Sequence, residues 1–393
     1  MRFVGIDVAS EVHVVAAVDT ACDVLIKPTK IGEDAGGYAR LLKLLGSPEE
    51  TLVAMEATGH YWRNVFAALA GAGFKIALLN PLRTRRFAEE DLQRTKTDAI
   101  DALGIARFAA QKRPPATPVP EQATEELREL VRHRDRLVQD LGDRVRQLHR
   151  LVDLGFPEFT RTVKDLSSQL AVAILREFPT AEAFRNASFK AVAKLVYDGR
   201  HKVGLARARK LVEAARESVG AHHGPAYRVQ IRHTCDAITM LREQIRELDG
   251  NVAQRLEEHE VGKLLTTIDG IGPHTAARLV AELGDPSAFR SPAALASYVG
   301  VVPGLKLSGK KKGVRAPLAS YGNARLRRAL YMPTLTAIRL SPWLRAFYER
   351  LRARGKPGKV ALVACMRKLL HAVYSVAKNR RPFELRLETN ATP

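Results

Sequence analysis

The sequence is poor in cysteine and has no long apolar run. Its 393 residues include only three cysteines, Cys22, Cys235 and Cys365, which are scattered and odd in number. This pattern argues against a disulfide framework and against a Cys-x-x-Cys zinc site. No run approaches the ~18 apolar residues that a membrane span needs, and the start lacks the long apolar core of a signal peptide. We therefore expect a soluble, reduced, cytoplasmic protein with no membrane partner.

Acidic residues are almost missing from the C-terminal fifth of the chain. Residues 301–381 contain 20 Lys and Arg and a single acid, Glu349, whereas residues 1–110 contain 13 Lys and Arg and 14 Asp and Glu. The basic residues alternate with aliphatic and aromatic ones at helical spacing, which indicates a folded basic domain. Concentrated positive charge is typical of nucleic-acid binding, because each neutralised phosphate releases counterions. A basic face that only promotes solubility is the alternative.

The first 111 residues predict an α/β domain. Three β-rich runs come first, and strands then alternate with helices. This order is expected of a ribonuclease H-like sheet flanked by helices, in which the first and fourth strands lie side by side. The predicted strands cover residues 3–8, 13–19, 24–29, 51–56 and 75–79, and the predicted helices cover 35–45, 61–70, 81–92 and 98–111.

The remainder is predicted to be mostly helical. Residues 112–122 contain four prolines and predict a stiff, extended linker. Within residues 123–260, leucines recur by threes, fours and sevens in two long amphipathic helices, which predicts an antiparallel coiled coil or an oligomerisation arm. A helical insertion at about 155–222 separates them, and the sequence does not reveal its role. Residues 261–393 predict a mainly helical, basic C-terminal domain.

Two glycines mark a turn between helices in the C-terminal domain. Gly270 and Gly272 precede a helix that is predicted to run to Leu283. The pattern resembles a helix-hairpin-helix element, in which turn amides meet a phosphate at a helix N-terminus. A plain connection between two helices explains the same glycines equally well.

Four acids lie where a predicted strand ends or a predicted helix begins. Asp7 ends the first strand, Glu56 ends the fourth, and Asp98 and Asp101 lie three apart on one helix face. Converging carboxylates repel one another and usually persist by binding Mg²⁺, which supports phosphodiester chemistry. Each acid alone has a structural alternative, such as a helix N-cap at Asp98. The ordered set favours a metal site.

The sequence resembles the DEDD transposases of bacterial insertion sequences, the Piv-type recombinases of the insertion sequence 110 family that use a bridge RNA. The N-terminal resemblance rests on Gly-Ile-Asp at 5–7, Glu-Ala-Thr-Gly at 56–59 and Lys-Thr-Asp-x-x-Asp-Ala at 96–102. The C-terminal resemblance rests on Ile-x-Gly-Ile-Gly-Pro at 268–273, Ser308-Gly309, and Gly322 followed by residues 326–332.

The resemblance implies a composite enzyme. Its RuvC-like N-terminal domain would bind Mg²⁺ through Asp7, Glu56, Asp98 and Asp101, and its C-terminal domain would supply a serine nucleophile, which matches Ser308. It further implies an RNA-guided DNA transposase on the bacterial nucleoid, with a structured bridge RNA and donor and target DNA as partners. Because the acids and the serine lie in separate domains, we expect a dimer or tetramer.

The residues alone support Ser308 more weakly. It lies in a Gly- and Lys-rich loop whose lysines would offset charge on the transition state, but no His lies nearby in sequence as a base. The competing Ser320 is interpreted as a turn or capping residue. Further basic residues are predicted to contact phosphates. The predicted contacts are Lys310, Lys311, Lys312, Arg325, Arg327, Arg328, Lys356, Lys359, Arg367 and Lys368.

Two other functions are compatible with the same residues. A RuvC-like junction nuclease would use the acids and a metal-activated water, and Ser308 would then have no chemical role. A non-catalytic basic protein would use the acids only structurally. A covalent protein–DNA adduct separates the serine enzyme from the first alternative, and metal-dependent cleavage excludes the second.

Overall fold

The structure of the chain is a computed structural model that describes residues 1–90, 97–119, 121–302 and 322–384. The chain divides into two compact units. Unit 1 covers residues 1–120 and unit 2 covers residues 121–393. Each unit has hydrophobic clusters of its own.

Unit 1 contains the predicted sheet. The strand order is β3-β2-β1-β4-β5, with β1 antiparallel to β2 and parallel to β4. This confirms the ribonuclease H-like arrangement and the adjacency of the first and fourth strands. The elements are β1 (Arg2–Asp7), β2 (Val12–Val18), β3 (Val24–Gly32), α1 (Ala35–Leu45), β4 (Thr51–Glu56), α2 (Trp62–Gly71), β5 (Lys75–Leu79), α3 (Pro81–Glu90) and α4 (Asp98–Lys112).

Alternation along β1 separates the two faces of the sheet. Val4 and Ile6 belong to a core that α1 and α2 complete. Phe3 belongs to a second core, which contains Ile105 and Phe108 of α4. Because successive strand residues point to opposite faces, Phe3, Gly5 and Asp7 all lie on the α4 face.

Helix α4 contacts β1 directly at Gly5. A Cβ atom added to Gly5 would lie 2.1 Å from the carbonyl oxygen of Ala102 and 2.4 Å from the amide nitrogen of Ala106. No side chain fits at these distances, so glycine is required by the closeness of the two backbones. Gly5, which lies two residues before Asp7, therefore sets how closely α4 approaches β1.

The proline-rich segment after α4 has neither helix nor strand over residues 113–119. Its Thr117 amide donates to the Ile76 carbonyl at 2.6 Å, and its hydroxyl accepts from the Leu78 amide at 2.9 Å. Thr117 thereby satisfies backbone groups on the exposed edge of β5. This part of the segment is attached to the sheet and does not extend away from it.

Unit 2 is helical in its described residues. Its helices are α5 (Gln122–Gly155), α6 (Phe159–Thr162), α7 (Gln169–Glu177), α8 (Ala181–Arg185), α9 (Phe189–Lys194), α10 (Leu205–Arg216), α11 (Pro225–Glu257), α12 (Glu260–Leu265), α13 (Pro273–Leu283), α14 (Pro292–Val299), α15 (Ala324–Leu340), α16 (Pro342–Ala353) and α17 (Gly358–Asn379).

The two long helices α5 and α11 run antiparallel along each other. Arg255 pairs with Glu126 near one end, and Arg134 pairs with Asp249 further along. Leucines such as Leu137 fill the space between the helices. The predicted pair of long amphipathic helices is therefore present, whereas coiled-coil packing and a role in oligomerisation stay predictions.

The insertion between these helices folds around its own core. Helices α6 to α10 enclose Phe156, Phe159 and Phe184, together with residues from the end of α5 and the start of α11. The insertion is helical, as predicted. We call residues 155–222 the helical insert.

The last helices of unit 2 share a core with the long pair. Leu127 of α5 and Val252 of α11 belong to the same cluster as residues of α12 to α17. Helix α17 is long and apolar enough to span a membrane by composition, a feature that Arg367 and Lys368 obscure in the sequence. However, 56% of that stretch is buried inside unit 2, which is typical of a core helix.

The contact at Gly5 yields a stability prediction. Gly5→Ala is expected to lower the free energy of unfolding by about 1–3 kcal/mol, because the methyl group overpacks the β1–α4 contact. The matched control is Gly104→Ala, in the interior of α4, where an added Cβ meets nothing within 4 Å. This control should leave stability unchanged or raise it by up to about 1 kcal/mol. Urea unfolding curves that coincide for the two variants would contradict the assignment.

Candidate active site and nucleic-acid surface

The ends of β1 and β4 place two acids side by side. The parallel register pairs Gly5 with Ala54 and Ile6 with Met55, so its continuation by one residue brings Asp7 next to Glu56. Neighbouring strands lie about 4.8 Å apart. Both acids point to the α4 face, because each is two residues beyond a residue of that face. The sheet thus brings together acids that are far apart in sequence.

Helix α4 carries the other two acids to the same edge. Ala102 packs with Val14, the residue that pairs with Asp7 across β1 and β2. Asp101 immediately precedes Ala102, and Asp98 lies one turn earlier. The first turn of α4 therefore lies at the edge where β1 and β4 end. Asp101 is half-buried and Asp98 is exposed.

Thr97, and not Asp98, caps α4. The Thr97 hydroxyl accepts a hydrogen bond from the Ile100 amide at 3.3 Å, which satisfies one of the free amides of the first turn. Asp98 is therefore not the N-cap of α4, the structural role that the sequence also allowed for it. Asp98 and Asp101 are the acids of this first turn, where the helix dipole favours negative charge.

Two threonine hydroxyls contact the Glu56 carboxylate. Thr84 of α3 is buried, and its hydroxyl oxygen lies 2.5 Å from Glu56 Oε1. The Thr58 hydroxyl lies 3.3 Å from Oε2. These contacts restrict the rotation of Glu56 at the sheet edge. No sequence pattern pointed to Thr84, because only the fold brings α3 to the end of β4.

The donor set at this edge suits a hard divalent cation. Mg²⁺ prefers oxygen ligands, and Asp7, Glu56, Asp98 and Asp101 supply carboxylate oxygens from three elements. Within residues 1–90, 97–119, 121–302 and 322–384, however, no three His, Cys, Asp or Glu side chains are close enough to hold an ion. The acids fit a metal in chemical type and lie toward one sheet edge, but their side chains are not gathered around a common point.

A buried network that the sequence did not reveal supports the segment after Asp7. His13 is fully buried in β2; its Nδ1 accepts from the Ala9 amide at 3.2 Å, and its Nε2 lies 2.5 Å from Glu33 Oε2. Burial alone would raise the pKa of Glu33, but hydrogen bonds from Tyr38, Asn64 and His13 outweigh it and lower that pKa. An ionised Glu33 therefore holds His13 and, through it, the turn that follows β1.

Ser308, the adjacent Lys310, Lys311 and Lys312, and Ser320 lie outside the described residues. The described residues on either side of this segment lie against each other. A Cβ atom on Gly322 would lie 2.7 Å from the Gly300 backbone, and the Asn323 amide donates to the Tyr298 carbonyl at 2.8 Å.

A buried carboxylate contacts the start of α15. Glu282 of α13 accepts two hydrogen bonds from the Arg132 guanidinium, at 2.8 and 3.0 Å. Asn323, the N-cap of α15, also donates to it at 3.4 Å. Burial alone would raise the pKa of Glu282, but the bonds and charge of Arg132 outweigh it, so the pKa is lowered. Glu282 thus ties α5 to the start of α15.

The predicted phosphate contacts differ in exposure. Arg325, Arg328, Lys356 and Lys359 are exposed, which suits contact with a backbone phosphate. Arg327 is half-buried and donates to the Val299 carbonyl at 3.4 Å.

The aromatic residues of α16 engage another predicted phosphate contact. Lys368 is exposed and lies over the rings of Trp343 and Phe347, at 5.6 and 4.7 Å. Arg367, one residue earlier, is half-buried. Lys368 thus contacts aromatic rings and Arg367 is partly covered, so both side chains are less free to meet a phosphate than Arg325, Arg328, Lys356 and Lys359 are.

The glycine turn has a packing explanation at Gly270. This residue has φ +85°, and a Cβ atom would lie 2.6 Å from the Pro333 carbonyl oxygen and 2.7 Å from Ala337. The turn between α12 and α13 is therefore pressed against α15, which favours the plain connection of two helices over phosphate contact by Gly270. Gly272 is exposed at the start of α13 with open space around it, so its contact with a phosphate stays a prediction.

Comparisons with known proteins identify the family. A DEDD transposase model of IS110 matches residues 4–157, and a model described as a transposase of the IS116/IS110/IS902 family matches residues 262–349. Together they match more than half of the chain. The first contains all four acids, and the second contains Ser308.

Relatives of similar length agree. An uncharacterized 44.8 kDa protein of insertion element IS116 from Streptomyces clavuligerus is 29% identical over 97% of this chain and 96% of its own. The pilin gene-inverting protein of Moraxella bovis is 28% identical over 85% and 82%. The uncharacterized 43.6 kDa protein of IS110 from Streptomyces coelicolor is 28% identical over 80% and 79%. The chain therefore belongs to the IS110 family of DEDD transposases, enzymes of DNA transposition and recombination.

Proposed function

We propose that the protein is an RNA-guided DNA transposase that cuts and rejoins DNA through Ser308, assisted by Asp7, Glu56, Asp98 and Asp101. One observation carries the proposal. The β1–β4 register and the contact of α4 at Gly5 gather at one sheet edge the acids that the sequence separates. The family resemblance supports Ser308, which occupies the Ser-Gly position of its C-terminal motif.

The four acids are proposed to bind Mg²⁺. When bound, the metal supplies activation of an attacking oxygen and stabilisation of a leaving one. Asp7 and Glu56 would provide ligands from adjacent strands, and Asp98 and Asp101 would provide them from α4. The Thr84 hydroxyl holds Glu56 in orientation. Because the side chains do not converge on one point, we expect them to reorient on metal binding.

The proposed reaction is a transesterification. The Ser308 hydroxyl loses its proton and its oxygen attacks the scissile phosphorus; a serine–phosphorus bond forms, and the bond to the 3′ oxygen breaks. That oxygen takes up a proton and leaves as a 3′-hydroxyl. A 3′-hydroxyl of the partner DNA then attacks the phosphoserine and releases the serine. One phosphodiester is exchanged for another, so the reaction requires no external energy source.

Recognition of the DNA is proposed to depend on a structured bridge RNA. Base pairing would then select donor and target sequences, and the protein would contact mainly backbone phosphates. Exposed cations such as Arg328, Lys356 and Lys359 support this division of roles. We further propose that the enzyme acts as a dimer or tetramer on the nucleoid.

The metal assignment is tested by Asp7→Asn, which keeps the shape of the side chain and removes its charge. We expect recombination to be abolished and Mg²⁺ affinity to fall, while the unfolding midpoint stays near that of the parent. The control is Glu49→Gln, an exposed acid just before β4 and hence at the opposite end of that strand. It should retain activity and metal affinity. Full recombination by Asp7→Asn would show that this edge binds no catalytic metal.

The nucleophile is tested by Ser308→Ala. A methyl group cannot bond to phosphorus, so this variant should bind RNA and DNA like the parent but form no covalent adduct and no recombinant product. Ser320→Ala is the control and should retain both, with a loss of at most about 1 kcal/mol of stability. If Ser308→Ala still cuts junction DNA at the parental rate, a nuclease that uses water replaces the proposed mechanism.

Two neighbouring arginines test the phosphate surface. Arg328→Gln should lower the salt dependence of duplex DNA binding by about 0.9 in log–log slope, the value for one phosphate contact. Arg327→Gln removes the same charge from a half-buried side chain that donates to Val299, so it should change the slope less and lower the unfolding midpoint more. Binding titrations at several salt concentrations measure both. Equal slopes for parent and Arg328→Gln would remove Arg328 from the surface.

A further inference from the structure

The helical insert concentrates positive charge in one short stretch. Residues 194–210 contain six Lys and Arg and a single acid, Asp198. With the exception of Arg207, which is half-buried, these cations are exposed. Neither family model covers residues 158–261, so the two matches assign no role to this stretch.

A tight hairpin presents part of this charge. Val196 bridges to Lys202, and the Tyr197 amide donates to the His201 carbonyl at 3.1 Å. Gly199 at the tip has φ +80°, a conformation that suits glycine. Arg200 and Lys202 are therefore exposed on a hydrogen-bonded turn, which holds the backbone at both residues in a defined conformation.

The single acid of the stretch is engaged within the turn. Asp198 Oδ1 accepts from the Arg200 and His201 amides at 3.0 and 2.7 Å, and Oδ2 lies 2.7 Å from His201 Nδ1. The amide and ring of His201 lower the pKa of Asp198 to about 2. This carboxylate holds the turn and forms no ion pair within 4 Å with any Lys or Arg in the described part of the chain.

A cavity adjoins the hairpin. It has a volume of about 520 Å³ and is lined by Arg161 of α6, by Arg207 and Lys210 of α10, and by the chain from Val203 to Ala206. Three cations from two helices thus surround one opening, and the lining contains no carboxylate. We call Arg161, Arg200, Lys202, Arg207 and Lys210 the insert patch.

Across the described ranges, none of the five cations of the insert patch forms an ion pair within 4 Å of a carboxylate. Against the opposing effect of burial, hydrogen bonds and the charge of Arg161 lower the pKa of the neighbouring Glu158, but Arg161 forms no such close pair with it. Two arginines of the insert and of α11 do form ion pairs: Arg176 with Asp236 at 2.9 Å, and Arg228 with Glu182. Unpaired like charges repel one another, and a polyanion that supplies closely spaced phosphates relieves this repulsion.

We propose that the insert patch binds the phosphodiester backbone of a nucleic acid. The inference rests on the proposed function only in that the enzyme handles DNA and RNA; it assigns a contact surface to a region with no place in the chemistry. Backbone phosphates fit because they carry one charge each at regular spacing, so that one strand can meet several cations of the patch. The surface reads no base sequence by itself.

The test is the triple variant Lys202→Gln, Arg207→Gln, Lys210→Gln in the full chain. Probes are a duplex DNA of unrelated sequence and an RNA stem-loop, each titrated at several salt concentrations. At about 0.9 per duplex phosphate contact, the log–log slope should fall by roughly two to three on the bound polymer. A fall with DNA alone assigns the patch to DNA, and a fall with RNA alone assigns it to RNA. Unchanged slopes with both probes overturn the proposal.

The matched control removes the same charge from exposed positions on α5, with Arg136→Gln, Arg144→Gln and Arg150→Gln. Its slopes should stay near those of the parent; a loss equal to that of the patch variant would show only a general effect of net charge and overturn the proposal. The double variant Lys202→Gln, Lys210→Gln keeps Arg207, which donates to the Val203 carbonyl, and guards against misfolding. Binding is measured without catalysis, so failure here leaves the Ser308 mechanism standing.

Discussion

The closeness of two backbones at Gly5 is the constraint on which unit 1 depends. Helix α4 approaches β1 so closely that its Ala102 carbonyl occupies the space of a side chain. Moving α4 outward by the width of a methyl group would displace Asp98 and Asp101 from the edge where Asp7 and Glu56 end their strands. The positions of Asp98 and Asp101 therefore depend on the absence of a side chain at Gly5.

Unit 2 has a comparable constraint in the Glu282–Arg132 pair. The carboxylate is largely buried, and the guanidinium meets it with two hydrogen bonds. Removal of one partner from a buried pair leaves an uncompensated charge and typically costs about 3–5 kcal/mol. The same carboxylate contacts the N-cap of α15, so packing of the long helix pair and the start of the basic helix are coupled. Asn323, which follows the segment that contains Ser308, donates a hydrogen bond to this carboxylate at 3.4 Å.

Cations of this chain occupy two kinds of environment. Along α5 and α11, arginines pair with acids and join helices to each other, as Arg255 does with Glu126. In α15 to α17 and in the insert patch, cations such as Arg328 and Lys202 are exposed. The interhelical pairs contribute to packing, and the exposed cations of these two regions are the ones proposed to meet phosphates. Net charge alone does not distinguish the two groups, because both contribute equally to it.

The sequence by itself determined the order and type of the elements, since alternation and helical periodicity follow from local geometry. It also determined which acids end strands, and the order of the strands predicted that Asp7 and Glu56 would be neighbours. Tertiary structure alone decided that Thr84 meets Glu56, that buried His13 supports the turn after β1, and that Glu282 pairs with Arg132. These contacts join residues 20 to 150 positions apart. No local pattern encodes them, because each depends on how whole helices and strands pack and which polar groups that packing leaves to be satisfied.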